Sequence, residues 1–196
     1  GAVDAAIAAG RAADNERHRA TSDLELGNLA VSQGDLAQAE QRYITGSRAL
    51  QTLAEKSPLN TEPQRDLSVS HNKIGDVRTA QGDLAGALES YRAGLAIREK
   101  LAAADPGNAG WQRDLSVSHE RIGDVRTAQG DLAGALESYR ASLAIREKLA
   151  ADDPGNAGWQ RDLLASYDRL GDMDPNSGWH VKAADLADRL VAEGRL

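Results

Sequence analysis

Apolar and polar positions along the chain fall into a pattern that returns every 48 residues. The stretch Arg65–Gln112 is repeated by Arg113–Gln160 with four changes, Asn72 to Glu120, Lys73 to Arg121, Gly94 to Ser142 and Ala104 to Asp152. A diverged copy fills Arg17–Gln64 without a gap, and a fourth begins at Arg161. Within one unit, Leu67, His71, Ile74, Val77 or Arg78, and Gln81 recur every three to four residues, the spacing of one helical face, which predicts helix A. Gly82 supplies a left-handed stop, and Asp83 can accept from the first unpaired N–H groups of the next helix. Leu84, Ala87, Leu88, Tyr91, Leu95 and Leu101 form a second stripe, helix B, with Glu89, Arg92, Arg98, Glu99 and Lys100 on its other faces. Asp105-Pro106-Gly107 ends it, and Asn108 can cap the following helix A.

Each stripe is too narrow to enclose a core, so one helix pair must bury its apolar face against the next. Gly75 and Ala87 are small where the helices of a pair approach, while His71 and His119 read as packing residues. Trp111 and Trp159 read as contacts between copies. In the first copy Thr61 is placed to cap the next helix, with Pro63 in its first turn. In the fourth, Asp174–Gly178 cuts helix A short, and Trp179–Leu196 makes a closing helix B that acts as a cap.

The pattern Ile74-Gly75, then Ala87 and Tyr91, recurring in register, resembles the tetratricopeptide repeat. The period exceeds that family's usual ~34 residues, and the closing proline is displaced to Pro106, so the resemblance is to long-helix variants such as kinesin-light-chain-like arrays. The resemblance implies an all-α fold, a right-handed α-solenoid of stacked antiparallel helix pairs. Residues 1–16 are then an N-terminal helix tail or cap, followed by units 17–64, 65–112 and 113–160 and a partial unit 161–196, in one continuous domain.

Composition narrows the function. The chain has no Cys, three Trp, four Tyr and a formal charge of −7. Without cysteine there is no thiol nucleophile or thiolate metal site. His18, His71, His119 and His180 lack ligand spacing, and no glycine-rich phosphate loop is present. The expectation is a non-enzymatic chain without cofactor or metal. No basic stripe favours nucleic acid, no apolar run is long enough for a membrane span, and a cytoplasmic setting is expected.

By the resemblance, helix A residues three before and one after each glycine line a peptide-binding groove. Around Gly27 these are Leu24 and Asn28, and the polar ones along the chain are Asn28, Asn72, Asp76, Glu120, Asp124, Asp168 and Asp172. The expected role is a protein- or peptide-binding scaffold, the interaction or regulatory part of a larger multidomain protein of bacterial type. The convergence of carboxylates favours a basic partner segment. The other reading is a structural spacer whose open ends self-associate, against which the expectation is a monomer or weak association.

Overall fold

The computed structural model describes the backbone of residues 2–195, with side chains at residue 8 and from residue 10 onward; Gly1 and Leu196, the ends of the predicted tail and cap, lie outside the described residues. The regular structure of the described residues is all α-helical. Its helices are α1 (Ala2–Ser32), α2 (Leu36–Lys56), α3 (Thr61–Gln81), α4 (Leu84–Ala104), α5 (Ala109–Ala128), α6 (Leu132–Asp152), α7 (Ala157–Met173) and α8 (Trp179–Ala192). They form antiparallel pairs joined by tight turns.

The 48-residue period is visible in the backbone. Gly34, Gly82, Gly130 and Gly178 all adopt φ of 79–83°, a conformation that only glycine reaches without a Cβ penalty. After the first three, Asp35, Asp83 and Asp131 accept from the N–H three residues on, at 2.9–3.0 Å, which starts α2, α4 and α6. Asn60, Asn108 and Asn156 cap α3, α5 and α7 through their side chains. Asn60 therefore holds the role predicted for Thr61, which is instead the first helical residue. The Asn carboxamide oxygen sits one residue earlier, where it reaches the Glu62 N–H at 3.1 Å.

The N-terminal tail does not form a separate element. It runs unbroken into the first helix A, because the Ala-rich stretch has no proline and its single Gly10 is exposed, a modest cost to a long helix. Contacts group the chain into two compact units, Gly1–Leu101 and Ala102–Leu196. In the first, Leu67, Ile74 and Val77 of α3 join Ala20, Leu24, Tyr43 and Leu50 of α1 and α2 in one apolar cluster. In the second, Leu163 and Leu170 of α7 meet Ala135, Tyr139 and Leu143 of α6 and Leu186 and Leu190 of α8. Trp159 packs on the edge of this second cluster. α7 stops at Met173, three residues short of the span of α5, and α8 closes the unit with Ala183, Leu186 and Leu190 buried.

The glycine of each helix A makes room for a ring. A Cβ on Gly27, Gly75 or Gly123 would stand 2.3–2.6 Å from the nearest atom of Tyr43, Tyr91 or Tyr139 respectively. In the fourth copy Ala187 occupies the tyrosine register, and the His180 imidazole covers Gly171 instead. Arg98 and Arg146 depart from the expectation of an outward face: they are 5% and 4% exposed. Their long side chains reach polar groups on helix A, so a cation occupies a slot that the amphipathic pattern assigns to solvent.

Candidate functional site

The side chains predicted to line the binding groove lie along the helix A faces, and the two units hold them in different chemical states. In the first unit, Asn28 Oδ1 accepts from the Tyr43 hydroxyl at 2.8 Å and from Lys73 Nζ at 2.6 Å. Its Nδ2 donates to Glu25 at 3.1 Å. The Lys73 ammonium also lies 5.6 Å from the Tyr43 ring centroid, within range of attraction to the ring face. Burial, reinforced by Asp76 and Glu25, raises the Tyr43 hydroxyl above its ordinary pKa, so it stays a donor.

Asp76 accepts from the Tyr91 hydroxyl at 2.6 Å. Asn28 and Asp76 are brought together in the wall of a cavity of about 380 Å³ whose remaining lining is Val31, Leu36, Tyr43, Lys73, Val77 and Ala80. This cavity is open to water, apolar on one side and lined on the other by an amide, an ammonium and a carboxylate. Asn72 is not part of it. With its amide oxygen turned toward Arg98 it accepts from both terminal guanidinium nitrogens, at 2.7 and 3.2 Å, while Arg98 Nε donates to Ser68 Oγ at 3.1 Å.

In the second unit Glu120 accepts from Arg146 Nη2 at 2.5 Å and lies 3.6 Å from Arg169 Nε. Asp124 accepts from the Tyr139 hydroxyl at 2.8 Å and is paired with Arg169. The Arg169 guanidinium stands 5.3 Å from the Tyr139 ring centroid. Burial pushes the Asp124 carboxyl upward against the opposing pull of the Tyr139 hydrogen bond and Arg169. The remaining two predicted residues, Asp168 and Asp172, are exposed. The Asp172 side chain is 80% exposed, with His180 Nε2 at 3.7 Å. The predicted convergence of bare carboxylates therefore does not describe this unit, because two of its four acids are already engaged by arginines of the same unit.

Lys73 and Arg169 are the residues that the sequence reading missed. Both stand two positions before the glycine, and both lie over the tyrosine of the preceding pair, Lys73 on Tyr43 and Arg169 on Tyr139. Arg121 holds the same register. A cation recurring there in three copies was a usable signal, hidden because a lone basic residue on a helix normally reads as a solvated face. At the end of the second unit Tyr167 and Trp179 stack, with centroids 5.8 Å apart, and Lys182 lies over both rings. Burial, then the hydrogen bond to Glu147, pushes the Tyr167 hydroxyl up to about 12. Among the described residues no helix is long and apolar enough to cross a membrane.

No protein-family model matches the sequence, and no curated protein matches it. Among solved structures the chain is similar to BtubC (BKLC) from P. vanneervenii, with a TM-score of 0.60 at 15% sequence identity. The likeness covers 87% of this chain and 64% of that one. It shows the fold alone: an all-α chain of stacked helix pairs, built like a helical repeat protein.

Proposed function

We propose that this chain is a protein- or peptide-binding repeat module of the tetratricopeptide type, acting as an interaction scaffold within a larger protein, with the helix A faces as its binding surface. The observation that carries the reading is the cavity lined by Asn28, Lys73 and Asp76 against Val31, Leu36, Val77 and Ala80. It has the mixed lining that suits a peptide, an apolar wall for one side chain and convergent polar groups for the backbone beside it. Two of its polar groups, Asn28 and Asp76, stand at the register expected for ligand contact.

The partner's charge follows from which acids have protein partners. Glu120 and Asp124 are neutralised by Arg146 and Arg169, so they add little to the field felt by a ligand. Asp168 and Asp172 are exposed and are the carboxylates best placed to attract a basic residue. Each unit takes its own chemistry in this reading: an apolar anchor at the cavity of the first unit, and a cation at Asp168 and Asp172 of the second. The electrostatic contribution should be small for each exposed pair, about 0.2–1 kcal/mol.

The test is selection of binders from a random displayed-peptide library on the intact chain. Affinities of the selected peptides are then measured against Lys73→Glu, the pair Asp168→Lys with Asp172→Lys, and Arg92→Glu on the opposite face of a helix B. Loss of binding in either of the first two with retention in the third supports the proposal. Failure to select any binder, or equal affinity for all variants while circular dichroism shows them folded, overturns it.

A further inference from the structure

The 48-residue register provides a template for what covers the outer face of α1. In α3, Ile74 and Val77 are 6% and 3% exposed and pack into the apolar cluster with α1 and α2. In α7, Leu170 is fully buried against α6. The same registers in α1 are Leu26 and Leu29, which are 45% and 52% exposed. Two large apolar side chains one helical turn apart thus stand in water, at positions that other copies bury beneath a helix B.

Two polar contacts accompany such burial. A cation two before the glycine reaches back to the preceding pair, as Lys73 to Asn28 and Arg169 to Asp124. An aspartate nine before the glycine receives the arginine of the preceding copy, as Asp66 from Arg17 at 2.6 Å and Asp162 from Arg113 at 2.7 Å. α1 carries neither. Glu25 holds the cation's register and His18 the aspartate's, and Arg19 stands where Leu67 and Leu163 are buried.

These substitutions decide the occupant. A second copy stacked in the same register would bring Asp172, the counterpart of Asn28, to Glu25, and Arg161, the counterpart of Arg17, to His18. Asp172 facing Glu25 is a like-charge pair and His18 offers Arg161 no carboxylate, which disfavours that partner, and Arg19 confines the apolar contact to the C-terminal half of α1. We propose that this face docks an amphipathic helix that lays an apolar stripe over Leu26 and Leu29 and presents a lysine or arginine to Glu25, at the register where α2 has Tyr43. Helix B of the repeat is the geometric model for the occupant, with the sign of the polar contact inverted. Glu25 adjoins the cavity through the Asn28 amide, but Leu26 and Leu29 do not line it, so the double aspartate variant at those two leucines separates failure of this proposal from failure of the other.

The probe is a stapled helical peptide with the α2 sequence Leu36–Lys56, made as Tyr43→Lys and as Tyr43→Glu, titrated onto the full chain. The lysine peptide should bind about tenfold more tightly than the glutamate peptide, since one gains an opposite charge and the other a like one. Glu25→Lys in the chain should reverse that order, and Leu26→Asp with Leu29→Asp should remove binding of both peptides. Because all three residues are exposed, circular dichroism melts should stay close to wild type; if the double aspartate variant is unfolded, the reversal by Glu25→Lys alone decides. Equal affinity for both peptides, absence of binding, or an order that Glu25→Lys does not invert overturns the proposal. So does self-association of the unmodified chain in sedimentation velocity that Leu26→Asp abolishes, since a second copy would then be the occupant.

Discussion

The polar pair Glu120–Arg146 should be replaceable by two leucines together but not by one, because the first copy already contains the leucine version. In register with Glu120 and Arg146 stand Leu24 and Leu50, which are 5% and 0% exposed and belong to one apolar cluster. Arg146 is 4% exposed, and its Nε has no hydrogen-bond partner among the described residues. Glu120→Leu leaves a buried guanidinium without its carboxylate, a loss of about 3–5 kcal/mol. The lower end applies, since Arg146 Nη1 keeps the Ser166 hydroxyl at 2.8 Å and the Asp162 carbonyl at 3.2 Å. Arg146→Leu alone should cost less, because Glu120 is less buried and stays near Arg169. The double variant removes both desolvated charges and the orphaned Nε, and such replacements are neutral or stabilising by about 1–4 kcal/mol. Ser166 is not stranded by the change, since its hydroxyl also donates to the Asp162 carbonyl at 3.2 Å. Urea unfolding of the four proteins gives the coupling energy directly. A double variant as unstable as the sum of the singles would refute the reasoning, and would mean that the two slots differ in shape and not only in polarity.

Three further outcomes follow from packing and burial. Gly123→Ala places a Cβ 2.5 Å from the Tyr139 ring; overpacking of about 1–3 kcal/mol should exceed the helix-propensity gain of about 1 kcal/mol, so a thermal melt should fall, and Tyr139→Leu in the same chain should relieve it. Ser142→Ala should raise stability by about 1 kcal/mol, because the buried Ser142 hydroxyl has no partner among the described residues and an unpaired polar group carries a desolvation cost; a lower urea midpoint would contradict this. Burial holds the His71 imidazole below its ordinary pKa of 6.5, so the unfolded chain takes up a proton first as pH falls. Its contribution is therefore complete above pH 6.5 and declines below it, and His71→Gln should flatten that part of the stability profile without changing the melt at pH 8.

How much of this was legible depended on whether a residue's role was local. Gly82 and Asp83 act within one turn, so the left-handed stop and the cap were readable from residue type and order. The break before Pro106 and the shortened helix at Asp174-Pro175 were readable for the same reason. Burial of Ile74, Val77 and Leu170 followed from helical period alone, since any helix that presents them must cover them. Residues whose partners lie a helix away were not legible. Arg98 and Arg146 look like solvent-facing charges on an amphipathic wheel, yet the guanidinium is long enough to cross to helix A and weakly hydrated enough to be buried once paired. Lys73 and Arg169 went unnoticed for the same reason, because a cation over a ring and a contact to the previous pair leave no mark within their own helix.

The candidate site inherits that limit. The register carried over from the resemblance names Asn28 and Asp76, which line one cavity, but net charge along a helix face does not report which acids are already neutralised. Glu120 and Asp124 carry the same formal charge as Asp168 and Asp172. Arg146 and Arg169 divide the four into an internal pair and an exposed pair. The first pair joins helices, and the second faces solvent. One polar register thus pairs internally at Glu120 and Asp124 and stays exposed at Asp168 and Asp172. The copy number of a motif therefore says how many such positions exist, while the cation on the neighbouring helix decides which of them stay exposed.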